Sequence, residues 1–209
     1  REPAPMSATT ESMPNPIEEL FRCATRETAD RMTIWTAGSI SLRLEGLTET
    51  ELHEISDHLG PIDRMATMVL LEAEGEIGGT LVLLFDDDSL DAFLVAMTGE
   101  PVLPGERTPL QESALLETGN ILASAFTGAI SDATGLLVLP TPPILLTDYV
   151  ASVLEQACMA QAINNEKLVL TRTRFERNGE ALDWQLVFIP DGAMRDWIDS
   201  GPRLRDGAL

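Results

Sequence analysis

The sequence predicts an α+β fold: a single pseudo-symmetric domain in which an antiparallel-rich sheet carries long helices. Three observations predict it. Helical and strand periodicities alternate along the chain, short glycine-containing turns join pairs of strands, and the order helix, strand, hairpin, helix occurs twice. Hairpins dictate antiparallel pairing, and helices with one apolar face bury it against a sheet.

Residues 17–35 set Leu20, Phe21, Ala24, Ala29 and Met32 at near-helical spacing behind Pro16, a residue tolerated at a helix start. Residues 39–47 alternate through Ile40, Leu42 and Leu44 as a half-buried strand, and 48–58 suit a short helix ended by Gly60 and Pro61. Strands over 65–74 and 80–85 enclose a turn at 75–79. Asp86, Asp87 and Asp88 precede a helix at 89–98, where carboxylates favour the positive end of the dipole.

After a Pro/Gly-rich connector at 100–109 the order recurs: a long helix over 110–134, a strand at 135–139, then Pro140, Pro142 and Pro143. An extended stretch at 144–146, a short helix or a helical turn with strand beyond at 149–158, strands at 167–175 and 182–189 around a turn, and a helix from Asp191 to Ile198 complete it. Leu83-Leu84-Phe85 followed by Asp88 matches Leu186-Val187-Phe188 followed by Asp191, and Glu74-Gly75-Glu76 matches Asn178-Gly179-Glu180. Internal duplication is the simplest reading, with halves of about 16–100 and 109–200 and a tail at 201–209. Residues 1–5, ahead of Met6, read as an added scar, and the stretch to Asn15 as a flexible N-terminus.

Composition narrows the function classes. A chain of 209 residues that is 44% hydrophobic can bury a sizeable core. The formal charge of −20 repels nucleic-acid phosphates, and no apolar run is long enough to span a membrane. Cys23 and Cys158 lie far apart among apolar helical residues, as buried thiols of a reducing cytoplasm do. His53 and His58 lack further ligand spacing and read as surface residues. The Asp86–Asp88 run is the one oxygen-rich cluster, and a helix start accounts for it better than a metal site; no metal site is expected.

The chemistry-bearing stretch is 112–124. On a helix Ser113, Glu117, Asn120, Ser124, Thr127 and Ser131 step by four and three and form one polar stripe, opposite Leu115, Leu122, Phe126 and Ala129. Gly119, mid-helix, costs about 1 kcal/mol against alanine and suits a point where another surface approaches the backbone. Glu and Asn on a helix face are ordinarily no more than a solvated side. The larger spacing is more specific: Ser113, three residues, Glu117, two residues, Asn120, then 22 residues to Pro143. This pattern resembles the signature of the CheC-type phosphatases of chemotaxis (the CheC, CheX and FliY group), and the wording of 117–123 is similar to theirs. The resemblance runs over 17–198.

That resemblance implies a protein phosphatase acting on the aspartyl-phosphate of a CheY-like response regulator. It implies Asn120 orienting the attacking water, Glu117 pairing with the receiver's lysine, and Ser113 and Pro143 supporting the motif. It places Mg²⁺ on the receiver, with no cofactor in this chain, and adds CheD as a further candidate partner. Family members often carry one site per half, and here the first half departs: Cys23, Glu27 and Asp30 replace the pattern, and His53 stands where proline is expected. An anionic Asp30 would repel a phosphoryl oxygen and lacks the amide donor, so this reads as a single-site variant with an inactive first half. The linker from helix to strand also reads as shorter in the first half. A non-catalytic module binding a response regulator or CheD is the alternative; a flagellar-switch version would carry a further C-terminal domain, and the chain ends soon after its last helix.

Overall fold

The computed structural model describes residues 16–51, 54, 62–85, 87–103, 105–162, 168–177, 179–201 and 204–205. In chain order these form α1 (Pro16–Trp35), β1 (Ile40–Thr50), β2 (Met65–Gly75), β3 (Gly79–Phe85), α2 (Asp87–Thr98) and α3 (Pro109–Thr134). Next come β4 (Val138–Pro140), β5 (Ile144–Tyr149), α4 (Val150–Ala162), β6 (Leu168–Arg177), β7 (Glu180–Pro190) and α5 (Gly192–Asp199). The fold is α+β, with every strand pair antiparallel.

The sheet runs β1-β6-β7-β3-β2, and β4 and β5 share the outer edge of β2. Each half therefore lends its edge to the other: β1 lies against β6, while β4 and β5 lie against β2. Apolar residues of α1, α2, α3 and α5 pack on one face of the sheet, and α4 covers part of the other with Val150, Val153, Leu154 and Cys158. Two covered faces explain why β3 is buried along its whole length and reads as a continuous apolar run.

Aromatic side chains join the layers. Phe21 of α1, Phe126 of α3 and Phe188 of β7 meet with centroids 5.1–6.3 Å apart. Trp184 makes T-shaped contacts with Phe85 and Phe93 and donates its indole N–H to Ser89 at 2.7 Å.

Local signals behave as their chemistry requires. Asp191 caps α5, its carboxylate accepting from Met194 N at 2.7 Å, and Thr108 with Gln111 forms a capping box that starts α3 at Pro109. Three expectations shift. Gly135 takes a left-handed φ of 76° and caps the C-terminus of α3, so the next strand opens only at Val138. Thr48–Thr50, expected to begin a short helix, instead complete β1 opposite β6. Of residues 51–61 only 51 and 54 lie within the described residues, and His53 and His58 lie outside them. The linker at 36–39 is no shorter than the one at 135–137, so the halves differ beyond that point: β1 is one strand, whereas the second-half edge breaks at 141–143.

Candidate functional site

α3 spans 26 residues, a rod about 39 Å long. Its buried side holds Leu115, Leu122, Phe126 and Ile130 in the core. Gly119 also faces inward: a Cβ there would stand 2.5 Å from Val69 Cγ1 on β2, so the surface that approaches this glycine is the protein's own sheet. Thr118, wholly buried beside it, accepts from the Trp35 indole N–H at 3.0 Å and donates to the Ala114 carbonyl at 2.7 Å.

With those residues turned in, Glu117 is exposed and Asn120 half-exposed. Among the described residues neither side chain has a hydrogen-bonding or ionic partner. Ser113 is exposed, but its hydroxyl donates back to the Pro109 carbonyl at 2.8 Å, which occupies its proton. The lower half of the polar stripe diverges from expectation: Thr127 is buried and donates to the Ala123 carbonyl, and Ser131 is half-buried against Val138. A helix turns once per 3.6 residues, so a stripe stepping by four and three drifts about 20° per heptad and here rolls into the core.

The facing wall comes from the sheet edge. Ala73 pairs with Pro140 and Leu70 with Ile144, which leaves the second-half edge one residue longer than β2 between those points, a bulge at 141–143. Thr141 clamps it: its N–H donates to the Glu72 carbonyl at 2.8 Å, and Glu72 N–H donates to its hydroxyl at 3.0 Å. Pro142 and Pro143 have no N–H, so the ladder breaks there and the edge is blunted. Ser113, Leu116, Glu117 and Asn120 of α3 and Pro140–Pro143 of the bulge line one open depression. All four residues assigned to the motif, Ser113, Glu117, Asn120 and Pro143, thus lie together. Leu116 and Thr141 were missed. Thr141 carried a signal, since a threonine between prolines can close a ladder that its neighbours cannot.

The first-half counterparts are placed differently. Cys23 is buried, and Glu27 and Asp30 are exposed. Asp30 lines a groove with Arg22, Arg26, Arg43 and Glu45, among whose lining residues Glu27 does not appear. Arg22 pairs with Glu18 and Glu19, and Arg26 donates to Cys23 Sγ at 3.4 Å. Glu45 is held at 2.6 Å by both Arg172 and Arg174. Asp87 begins α2, while Asp86 lies outside the described residues. Cys158 is buried beneath α4, and desolvation pushes its thiol up to about 12. Among the described residues no helix is long and apolar enough to cross a membrane.

No family model matches the sequence. The chain is 24% identical over 143 residues to the protein named CheY-P phosphatase CheC from Bacillus subtilis, an alignment covering 66% of this chain and 68% of that one. Its fold is similar to FliY from Thermotoga maritima, with a TM-score of 0.67 at 14% identity over 92% of this chain and 98% of that one. It is also similar to CheX from Borrelia burgdorferi, solved in a complex with CheY, BeF3 and Mg²⁺, with a TM-score of 0.50 at 15% identity over 83% and 96% of the two chains. In both sequence and fold, this chain is similar to proteins of the CheC/CheX/FliY type.

Proposed function

We propose that the chain is a phosphatase for the aspartyl-phosphate of a CheY-like response regulator, working from the α3 face of its second half. The observation that carries this reading is the pair Glu117 and Asn120, turned outward without partners among the described residues, opposite the Pro140–Pro143 bulge. Buried or internally bonded side chains could not serve a partner; among the described residues these two are unengaged. The CheC relative named a CheY-P phosphatase, and the CheX neighbour solved with CheY, support the choice of partner.

An aspartyl-phosphate is an activated mixed anhydride, so its hydrolysis needs a placed water more than a strong base. Asn120 offers both an amide donor and a carbonyl acceptor, enough to hold a water in line with phosphorus. Water oxygen bonds to phosphorus, the bond to the aspartyl oxygen breaks, and phosphate and a free carboxylate result. Glu117 docks on the receiver's active-site lysine, while Ser113 and Pro143 shape the rim. From Pro109 to Ala162 there is no Lys or Arg, so this region supplies no cation to a phosphoryl group. The neutralising charges belong to the receiver, which brings Mg²⁺ as well as its lysine. In this reading the first-half residues Glu27 and Asp30 are inactive.

The test is phosphate release from Mg²⁺-loaded, phosphorylated CheY-like receivers, with Asn120→Ala beside the wild type. Acceleration by the wild type that falls about a hundredfold in the variant, with folding and receiver binding retained, is the expected result. Equal rates for the two proteins, or no acceleration of any receiver, would reject catalysis and leave a module that binds a receiver or CheD.

A further inference from the structure

We propose that Trp35, the last residue of α1, is a positioning residue for Asn120: through Thr118 it sets the rotation of α3 about its own axis. Its catalytic consequence rests on the phosphatase reading above, while its geometric content can be tested separately.

The indole N–H of Trp35 donates to the Thr118 hydroxyl oxygen at 3.0 Å, and that hydroxyl donates to the Ala114 carbonyl at 2.7 Å. The two bonds run in one direction, because an indole nitrogen can only donate and a threonine oxygen does both. Thr118 is wholly buried but Trp35 only partly so. A partly exposed indole can give its proton to water, so burial alone does not demand this bond.

Thr118 and Gly119 are the first two of the residues after Glu117, and Asn120 is the next. Gly119 sets how near α3 comes to β2, since a Cβ would meet Val69 Cγ1 at 2.5 Å. A contact without a side-chain knob limits approach but offers little resistance to rolling. The bond from Trp35, reaching across from a different helix, supplies the sideways restraint. A roll of about 20° would move side-chain tips some 6 Å from the axis by about 2 Å, and misplacing a reacting group by about 1 Å costs on the order of a hundredfold in rate. α1 therefore acts as a brace for the functional helix.

The experiment compares the wild type with Trp35→Phe, Thr118→Val, Thr118→Ser and the Trp35→Phe/Thr118→Val pair. One readout is dephosphorylation of a Mg²⁺-loaded, phosphorylated CheY-like receiver, resolved into kcat and KM, with binding of the same receiver carrying Mg²⁺ and beryllofluoride measured apart. The other is the side-chain amide resonance pair of Asn120 by NMR in the protein alone. Trp35→Phe and Thr118→Val are each expected to lower kcat about tenfold, with KM and binding within about twofold. Both should shift the Asn120 amide, and Thr118→Val leaves the indole ring in place, so a shared shift is not the ring's own effect. Thr118→Ser keeps the hydroxyl and should restore kcat and resonances, and the pair should be no worse than either single change.

An unchanged kcat, unmoved Asn120 resonances, or losses that multiply in the pair would overturn the proposal. If the wild type itself releases no phosphate, the phosphatase reading fails and the Asn120 resonances alone decide. A shift in Trp35→Phe and Thr118→Val that Thr118→Ser lacks upholds the positioning role; any other pattern overturns it.

Discussion

The outward faces of α1 and α3 carry similar spacings of polar residues and very different surroundings. On α3, Glu117 and Asn120 have no partners among the described residues and look across to a proline-rich bulge, and no basic side chain is among the residues lining that depression. On α1, Asp30 shares its groove with Arg22, Arg26 and Arg43, beside β1, which shifts register at Glu45 without a proline break and whose partner strand contributes Arg172 and Arg174 to bind Glu45. A motif on a helix is thus only half of a site. The opposing strand decides whether the outward residues meet a wall that shapes a docking surface or a field of charges already paired with one another.

Exchanging residues between the faces gives the largest expected effect. Asn120→Asp, which makes α3 like α1, should abolish phosphatase activity to the extent of about a hundredfold or more, because it adds a negative charge and removes the amide donor. Asp30→Asn in the Asn120→Asp background should recover nothing, since neither the bulge nor the position of Glu27 follows from that change. Recovery of turnover in the double variant would break the comparison and show that the helix motif suffices.

A smaller effect sharpens the same point from beneath the helix. Gly119→Ala improves helix propensity by about 1 kcal/mol but pushes a methyl into Val69, at an overpacking cost of about 1–3 kcal/mol. The net expectation is a modest fall in the urea midpoint with a disproportionate loss of kcat, whereas a stabilised and fully active variant would deny the close approach any role.

The smallest effect on turnover belongs to the far face of the sheet, whose pH-dependent stability serves as a control. Burial raises the Cys158 thiol from its ordinary value to about 12, so the unfolded chain ionises there before the folded one. Between about pH 9 and 12 the unfolded state binds fewer protons, and this thiol's contribution to stability falls as pH rises, by at most about 1.4 kcal/mol per pH unit. Urea denaturation at two pH values in this range, compared with Cys158→Ala, should isolate that slope; identical slopes in the two proteins would remove it.

Much of the site was legible because helical periodicity is a local property. Ser113, Glu117 and Asn120 share a face for reasons that need only 3.6 residues per turn, and Pro16, Asp191 and the alternation in β1 declare their roles within a few residues. The same locality explains the errors. Gly135 closes a helix because its neighbours leave carbonyls to satisfy, and Thr48–Thr50 become strand because β6 lies beside them, which no window of β1 reveals.

What the sequence by itself determined is therefore the type and order of most elements and the polar stripe that presents Glu117 with Asn120. Only the tertiary structure decided that β4 and β5 pair with β2, that the bulge at Pro143 comes to rest beside Asn120, that Thr127 turns inward, and that Trp35 reaches Thr118 from another helix. These are contacts between residues distant in the chain, selected by how many side chains can be packed at once without voids or unsatisfied polar groups, and that condition has no expression in any short stretch of sequence.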